Sequence, residues 1–134
     1  MKTRTAWILV LMGWLLGAMP TLAVESMGET LQKALLTSKA DRVLACFANS
    51  MEVSVLGKSV VCSAEQAVEI LDQFLAENDI KTCSVLHSGK KSNAGFYIIT
   101  AVTATHKRYR IYALERYDGN SNLIRQFRID EVPE

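Results

Sequence analysis

The chain has 134 residues, 15 basic against 14 acidic side chains and a formal charge of +1. A length of that order holds one domain with a single core. So even a balance gives little of the long-range attraction that polyanions and acidic membranes draw on, which argues against nucleic acid as a partner.

Lys2 and Arg4 precede an uncharged apolar run from Ala6 to Met19, the order of a signal peptide. The run is shorter than the roughly 20 residues needed to span a bilayer. Thr21-Leu22-Ala23 supplies small residues where a signal peptidase reads them, so cleavage is expected before Val24, with an uncleaved anchor as the alternative. With no Cys beside that site, the lipoprotein route has no residue to acylate. The chain thus divides into a signal peptide, 1–23, and one domain, 24–134, exported to the periplasm or secreted, with no membrane span after cleavage. The leader carries both tryptophans, Trp7 and Trp14, and two positive charges, leaving the domain slightly negative.

Val24, Met27, Leu31, Ala34 and Leu35 fall on one face at helical spacing, which predicts an amphipathic first helix. Ser38-Lys39-Ala40-Asp41 reads as a capping box opening a short second helix through Phe47. Asn49-Ser50 breaks the pattern, and Met51, Val53 and Val55 then alternate with polar residues as in a half-buried strand. Gly57-Lys58 turns into a second strand, Ser59 to Cys62. Ser63 with Gln66 makes another capping box, ahead of a helix to Asn78 with Ala67, Val68, Leu71, Phe74 and Leu75 on one face. Thr82 to His87 reads as a strand, Ser88 to Gly95 as a polar turn, and Phe96 to Thr105, Tyr109 to Tyr117 and Leu123 to Ile129 as three more strands.

The last hairpin fixes a register. With its loop at Gly119 to Ser121, Ala113 pairs with Phe127, Ile111 with Ile129, and Glu115 with Arg125, on the concave side. The strand from Phe96 is apolar on both faces, which requires a layer on each. Assigning Phe96, Ile98 and Val102 to the helices leaves Tyr97, Ile99 and Ala101 as candidates for a dimer interface. Cys46, Cys62 and Cys83 fit neither a zinc site nor a Cys-x-x-Cys pair, and read as three buried thiols or as a Cys62 to Cys83 bridge with Cys46 left over.

This order of elements, with Leu56-Gly57-Lys58, Ser63-Ala64-Glu65-Gln66-Ala67, Tyr109-Arg110-Ile111-Tyr112 and Ile124-Arg125-Gln126-Phe127-Arg128-Ile129, resembles the nuclear transport factor 2-like, or cystatin-like, superfamily. The branch it is most similar to consists of small exported bacterial proteins of unknown function. The resemblance implies an α+β fold in which a curved antiparallel sheet wraps around helices as a cone. It also implies a pocket between sheet and helices, and often homodimers through the outer sheet face. The catalytic sets of enzymes in the superfamily find no residue-by-residue match. Gln66-Ala67-Val68-Glu69-Ile70 lacks the glycine of the cystatin inhibitor loop and lies on a helix.

Candidate ligand-binding residues are Glu115 and Arg125, charged on otherwise apolar strand faces, with Tyr109, Tyr117 and His87. A carboxylate beside an arginine in low dielectric orients a polar ligand or acts as a base. The competing reading is a cross-strand ion pair near the sheet edge. His106-Lys107-Arg108 reads as a solvated hairpin tip, and two histidines without a companion ligand imply no metal and no cofactor. The leading reading is a non-enzymatic exported binding module, a homodimer taking a small ligand or a cell-envelope protein. The alternatives are a small-molecule isomerase or hydrolase with Glu115 as base, and a structural dimer with a filled cone.

Overall fold

The computed structural model describes residues 27–117 and 119–133. The expected signal peptide, the cleavage site at Val24 and Asp118 of the last turn lie outside them.

Helix α1, Met27–Thr37, buries Leu31, Ala34 and Leu35. Ser38 then takes a left-handed φ of 54°, and a 3-10 helix, Ala40–Cys46, follows. The capping box expected at Ser38 does not form. The cap position falls on Lys39, whose side chain has no acceptor to offer, so packing of Ala40 and Val43 holds the turn instead. Phe47 opens strand β1, Phe47–Val55. Asn49 and Ser50 do not break that strand; they sit exposed within it where its pairing to the last strand shifts register, as at a bulge. Leu56 and Gly57, both at positive φ, make a two-residue hairpin loop into β2, Lys58–Cys62.

Helix α2, Ala64–Glu77, starts as its sequence demands. The Gln66 N–H donates to Ser63 Oγ at 3.2 Å and the Ser63 N–H donates to Gln66 Oε1 at 3.1 Å. Its buried stripe, Ala67, Leu71, Phe74 and Leu75, packs on the sheet, each large side chain contributing about 1.5–3 kcal/mol. Strands β3 (Ile80–Lys91), β4 (Ala94–Thr103), β5 (Arg108–Tyr117) and β6 (Asn122–Val132) form a meander. The turn between β3 and β4 is at Ser92 and Asn93, not Ser88 to Gly95. The polar residues there belong to an edge strand, whose backbone pairs whatever its side chains.

The described strands make one curved, open sheet in the order β2-β1-β6-β5-β4-β3, antiparallel throughout except for the parallel β1–β6 pair. Helices cover one face. Ala113 pairs with Phe127 and Ile111 with Ile129, as the hairpin register predicts. Beyond Leu114 the ladder slips by one residue, and Glu115 faces Ile124 rather than Arg125. The slip puts Ile124 in the core and Arg125 in water, the arrangement favoured by the cost of burying an unpaired guanidinium.

The two faces of β4 are the reverse of the sequence expectation. Ile99 and Ala101 are 0 % exposed beneath the helices, so with Tyr97 they face inward and cannot form an outer dimer contact. Their partners require it, since Ile99 pairs with Ile111 and Ala101 with Tyr109, both buried. Phe96, Ile98 and Val102 form the outer set. A Cys62 to Cys83 bridge is also ruled out. Those residues lie on opposite edge strands, and a disulfide needs Cα atoms within about 7 Å.

Candidate functional site

Lys90, Gly95 and Glu115 are neighbours in one row across β3, β4 and β5. The missing side chain of Gly95 leaves the space into which Glu115 folds; a methyl group at position 95 would collide with Glu115 Oε1. Glu115 is 3 % exposed. Tyr97, two residues along the same face, donates its hydroxyl to Glu115 Oε1 at 3.3 Å, and Lys90 Nζ stands 4.0 Å from that oxygen. Burial, and then the Glu115 charge and hydrogen bond, raise the Tyr97 pKa above its ordinary 10, so the phenol stays a neutral donor. The Lys90 ammonium is largely in solvent, which screens its attraction.

An open depression of about 540 Å³ lies over this row, between the first turns of α1 and strands β3 and β4. Gln32, Ser88, Lys90 and Tyr97 line it, and Glu115 does not. A general base must come within roughly 2.6–3.2 Å of the proton it takes. Tyr97 stands between the carboxylate and the opening, so the depression offers a phenol and an ammonium, with Glu115 anchoring both from behind.

The other sequence candidates do not join this row. Arg125 is exposed at the bulge. Tyr109 is buried in the core, six residues along β5 and so roughly 20 Å from Glu115; it packs edge-on against Phe74 and donates to Asn78 Oδ1 at 2.9 Å. Its pKa is raised by burial and then by the charge of Glu131. Tyr117 lies exposed beyond the core and donates to Gly119 O at 2.9 Å. His87 does not share a face with Cys83 and Val85. The ladder shifts between Val85 and His87, which turns His87 outward against the Phe96 ring. Tyr97 and Lys90 are the site residues that sequence reasoning missed, and a hairpin turn placed at Ser92-Asn93 would have aligned both with Glu115.

Two further surfaces remain. A cleft of about 400 Å³ separates the β1–β2 hairpin from α2, with Val53, Val55, Val60, Ile70 and Phe74 as apolar wall and Lys58, Gln73, Glu77 and Asn78 as polar rim. On the sheet's outer face, Phe96 pairs with Leu114 and Ile98 with Tyr112. Phe96 is 38 % exposed there, its ring lying across Gly89, where an added Cβ would come within 2.7 Å. The Arg128 guanidinium covers Tyr112 at 4.4 Å and pairs with Asp130 at 3.0 Å. Among the described residues no group of three His, Cys, Asp or Glu side chains is placed to hold a metal ion, and no helix is long and apolar enough to cross a membrane.

Residues 29–130 match the family described as a domain of unknown function, DUF4783, and the chain belongs to that family. A crystal structure of a DUF4783 family protein from Bacteroides uniformis is similar at 22% identity and a TM-score of 0.75, over 81% of this chain and 100% of that one. An NTF2-like protein of unknown function from Shewanella baltica is similar at 7% identity and 0.59, over 78% and 87%. A domain of unknown function with a cystatin-like fold from Nostoc punctiforme is similar at 8% identity and 0.64, over 78% and 72%. These likenesses establish the α+β, NTF2-like fold. No curated protein matches the chain.

Proposed function

We propose that this DUF4783 family member is a non-enzymatic binding module of the cell envelope, exported by residues 1–23, whose ligand enters the cleft between the β1–β2 hairpin and α2. The carrying observation is the pattern of that cleft, an apolar wall with a few polar groups at its rim and a volume in the range of ligand sites. A carboxylate-based reaction has less support, because Glu115 is closed off by Tyr97. The probe is 8-anilinonaphthalene-1-sulfonate, whose emission should rise and saturate at one dye per chain. Ile70→Glu, a half-buried wall position, should abolish that rise while circular dichroism stays unchanged. Dye binding that does not saturate, or that survives Ile70→Glu, would remove the cleft as the site. N-terminal sequencing of the envelope fraction should begin at Val24, and a product retaining Trp7 would refute export with cleavage.

A second reading concerns self-association. The outer patch of Phe96, Ile98, Tyr112 and Leu114 is apolar surface on the face opposite the helices, and leaving it wet costs about 25 cal/mol per Å². A homodimer with a two-fold axis through that patch removes the cost.

A further inference from the structure

The two edges of the sheet are finished differently. At β3, α1 lies alongside and Gln32 Nε2 donates to Cys83 O at 3.2 Å, so a side chain takes up a main-chain acceptor. Strand β2, the other edge, is exposed from Lys58 to Val61, and Val61 is 73 % exposed. The unpaired N–H and C=O groups of an edge strand are a template for another strand, and the stretch Ser59-Val60-Val61 carries no charge or proline to block one.

The cleft begins beneath that edge. Val60 shares a face with its partner Val53; yet Val53 is 2 % exposed and Val60 45 %. The helical layer therefore stops between β1 and β2, and the hollow under Val60 reaches to Ile70 and Phe74 of α2. Lys58 lines the hollow from the hairpin and Glu77 from the helix, and neither is held in an ion pair within the described residues.

We propose that β2 accepts an extended peptide from a partner protein as an added strand, with one apolar side chain of that peptide seated in the cleft. Side chains of a strand alternate, so the residue two positions away points the same way and meets Lys58 and Glu77. That residue is polar, able to accept from the ammonium and donate to the carboxylate. Main-chain pairing supplies affinity in this mode and the side-chain pocket supplies selectivity. A second copy fits less well. The face its β2 would turn to the cleft carries Lys58, Val60 and Cys62, with no long apolar side chain for the hollow. The inference rests on the cleft reading and narrows its ligand to a peptide.

The test uses the mature chain and the probe acetyl-Thr-Leu-Thr-Gln-Thr-amide, read by calorimetry and by hydrogen exchange at β2. Two variants of the probe carry N-methyl groups on one or the other alternate set of amides. An added strand uses one set only, so one methylated probe should bind at least tenfold more weakly and the other like the parent. Replacing the probe's leucine by alanine should also weaken binding about tenfold. Val60→Lys, at an exposed position compatible with folding, should abolish binding. Peptide binding should slow exchange at the β2 amides that point away from β1. Equal binding of both methylated probes would refute strand addition. Failure of the peptide while the dye still saturates would refute it and leave the cleft standing, whereas failure of both removes the cleft as well. Slow exchange in the free monomer at the β2 amides that point away from β1 would mean that the chain covers its own edge, and slow exchange there that appears only on self-association would assign the edge to a second copy; either overturns the proposal.

Discussion

Gly95 and Glu115 occupy one another's space: the carboxylate of Glu115 lies where a Cβ on residue 95 would be. Gly95→Ala must displace Glu115 or move two paired strands, and overpacking of that kind costs about 1–3 kcal/mol. Urea unfolding should show a loss in that range. Glu115→Ala empties the same space, so in the double variant the cost of Gly95→Ala should nearly vanish. A double-mutant cycle measures this coupling directly. Additive losses would mean that strain in the β4 backbone, and not the carboxylate, sets the requirement for glycine.

Alkaline stability follows from Cys83 and Tyr97. Burial pushes the Cys83 thiol up from 9 to about 11, and Tyr97 is raised by burial and then by Glu115. Both groups hold their protons more tightly folded than unfolded, so the contribution of Cys83 is complete below pH 9 and is lost as pH rises from 9 through about 11, while that of Tyr97 is complete below pH 10 and falls above it. Urea midpoints should fall across that window, and Cys83→Ala should make the fall shallower. Ellman's reagent should modify Cys83 slowly at pH 8 in the native state. Rapid labelling there would show that the thiol is not protected by burial.

The helix from Ser63 and the pairing of Ala113 with Phe127 were legible because each rests on a local rule, a capping box and a strict alternation. The faces of β4 were not, since Phe96 to Val102 is apolar on both sides and alternation alone cannot say which side meets the helices. Only pairing decides it, through Ile99 opposite Ile111. The same limit hid the row of Lys90, Gly95 and Glu115. Its members come from three strands, and a turn misplaced by a few residues separates them. Bulges beside Glu115 and His87 then moved Arg125 and His87 off their expected faces, because an inserted residue shifts every alternation after it.

Ser63→Ala removes the acceptor of the Gln66 N–H and should cost about 1 kcal/mol, the usual worth of such a cap. Gln66→Ala should cost less, since it leaves Ser63 Oγ in place for that donor. Thermal unfolding followed at 222 nm separates the two. If Ser63→Ala is neutral, Asn78 and the packing of Phe74 hold α2 without its first turn.

Ile98 and Ile99 are adjacent in sequence and opposite in role. Ile99 is 0 % exposed in the core, so Ile99→Lys buries a charge without a partner and should cost several kcal/mol, enough to prevent a cooperative unfolding transition. Ile98 points to the outer face beside Phe96 and Tyr112 and is half-buried. Ile98→Lys should therefore keep the fold, with native circular dichroism, and act on assembly alone. Sedimentation at micromolar concentration should give twice the mature mass for the unmodified chain and a single chain for Ile98→Lys. A wild type that stays monomeric on concentration would rule out the two-fold contact through this face. A folded, dimeric Ile98→Lys would place the contact elsewhere on the molecule.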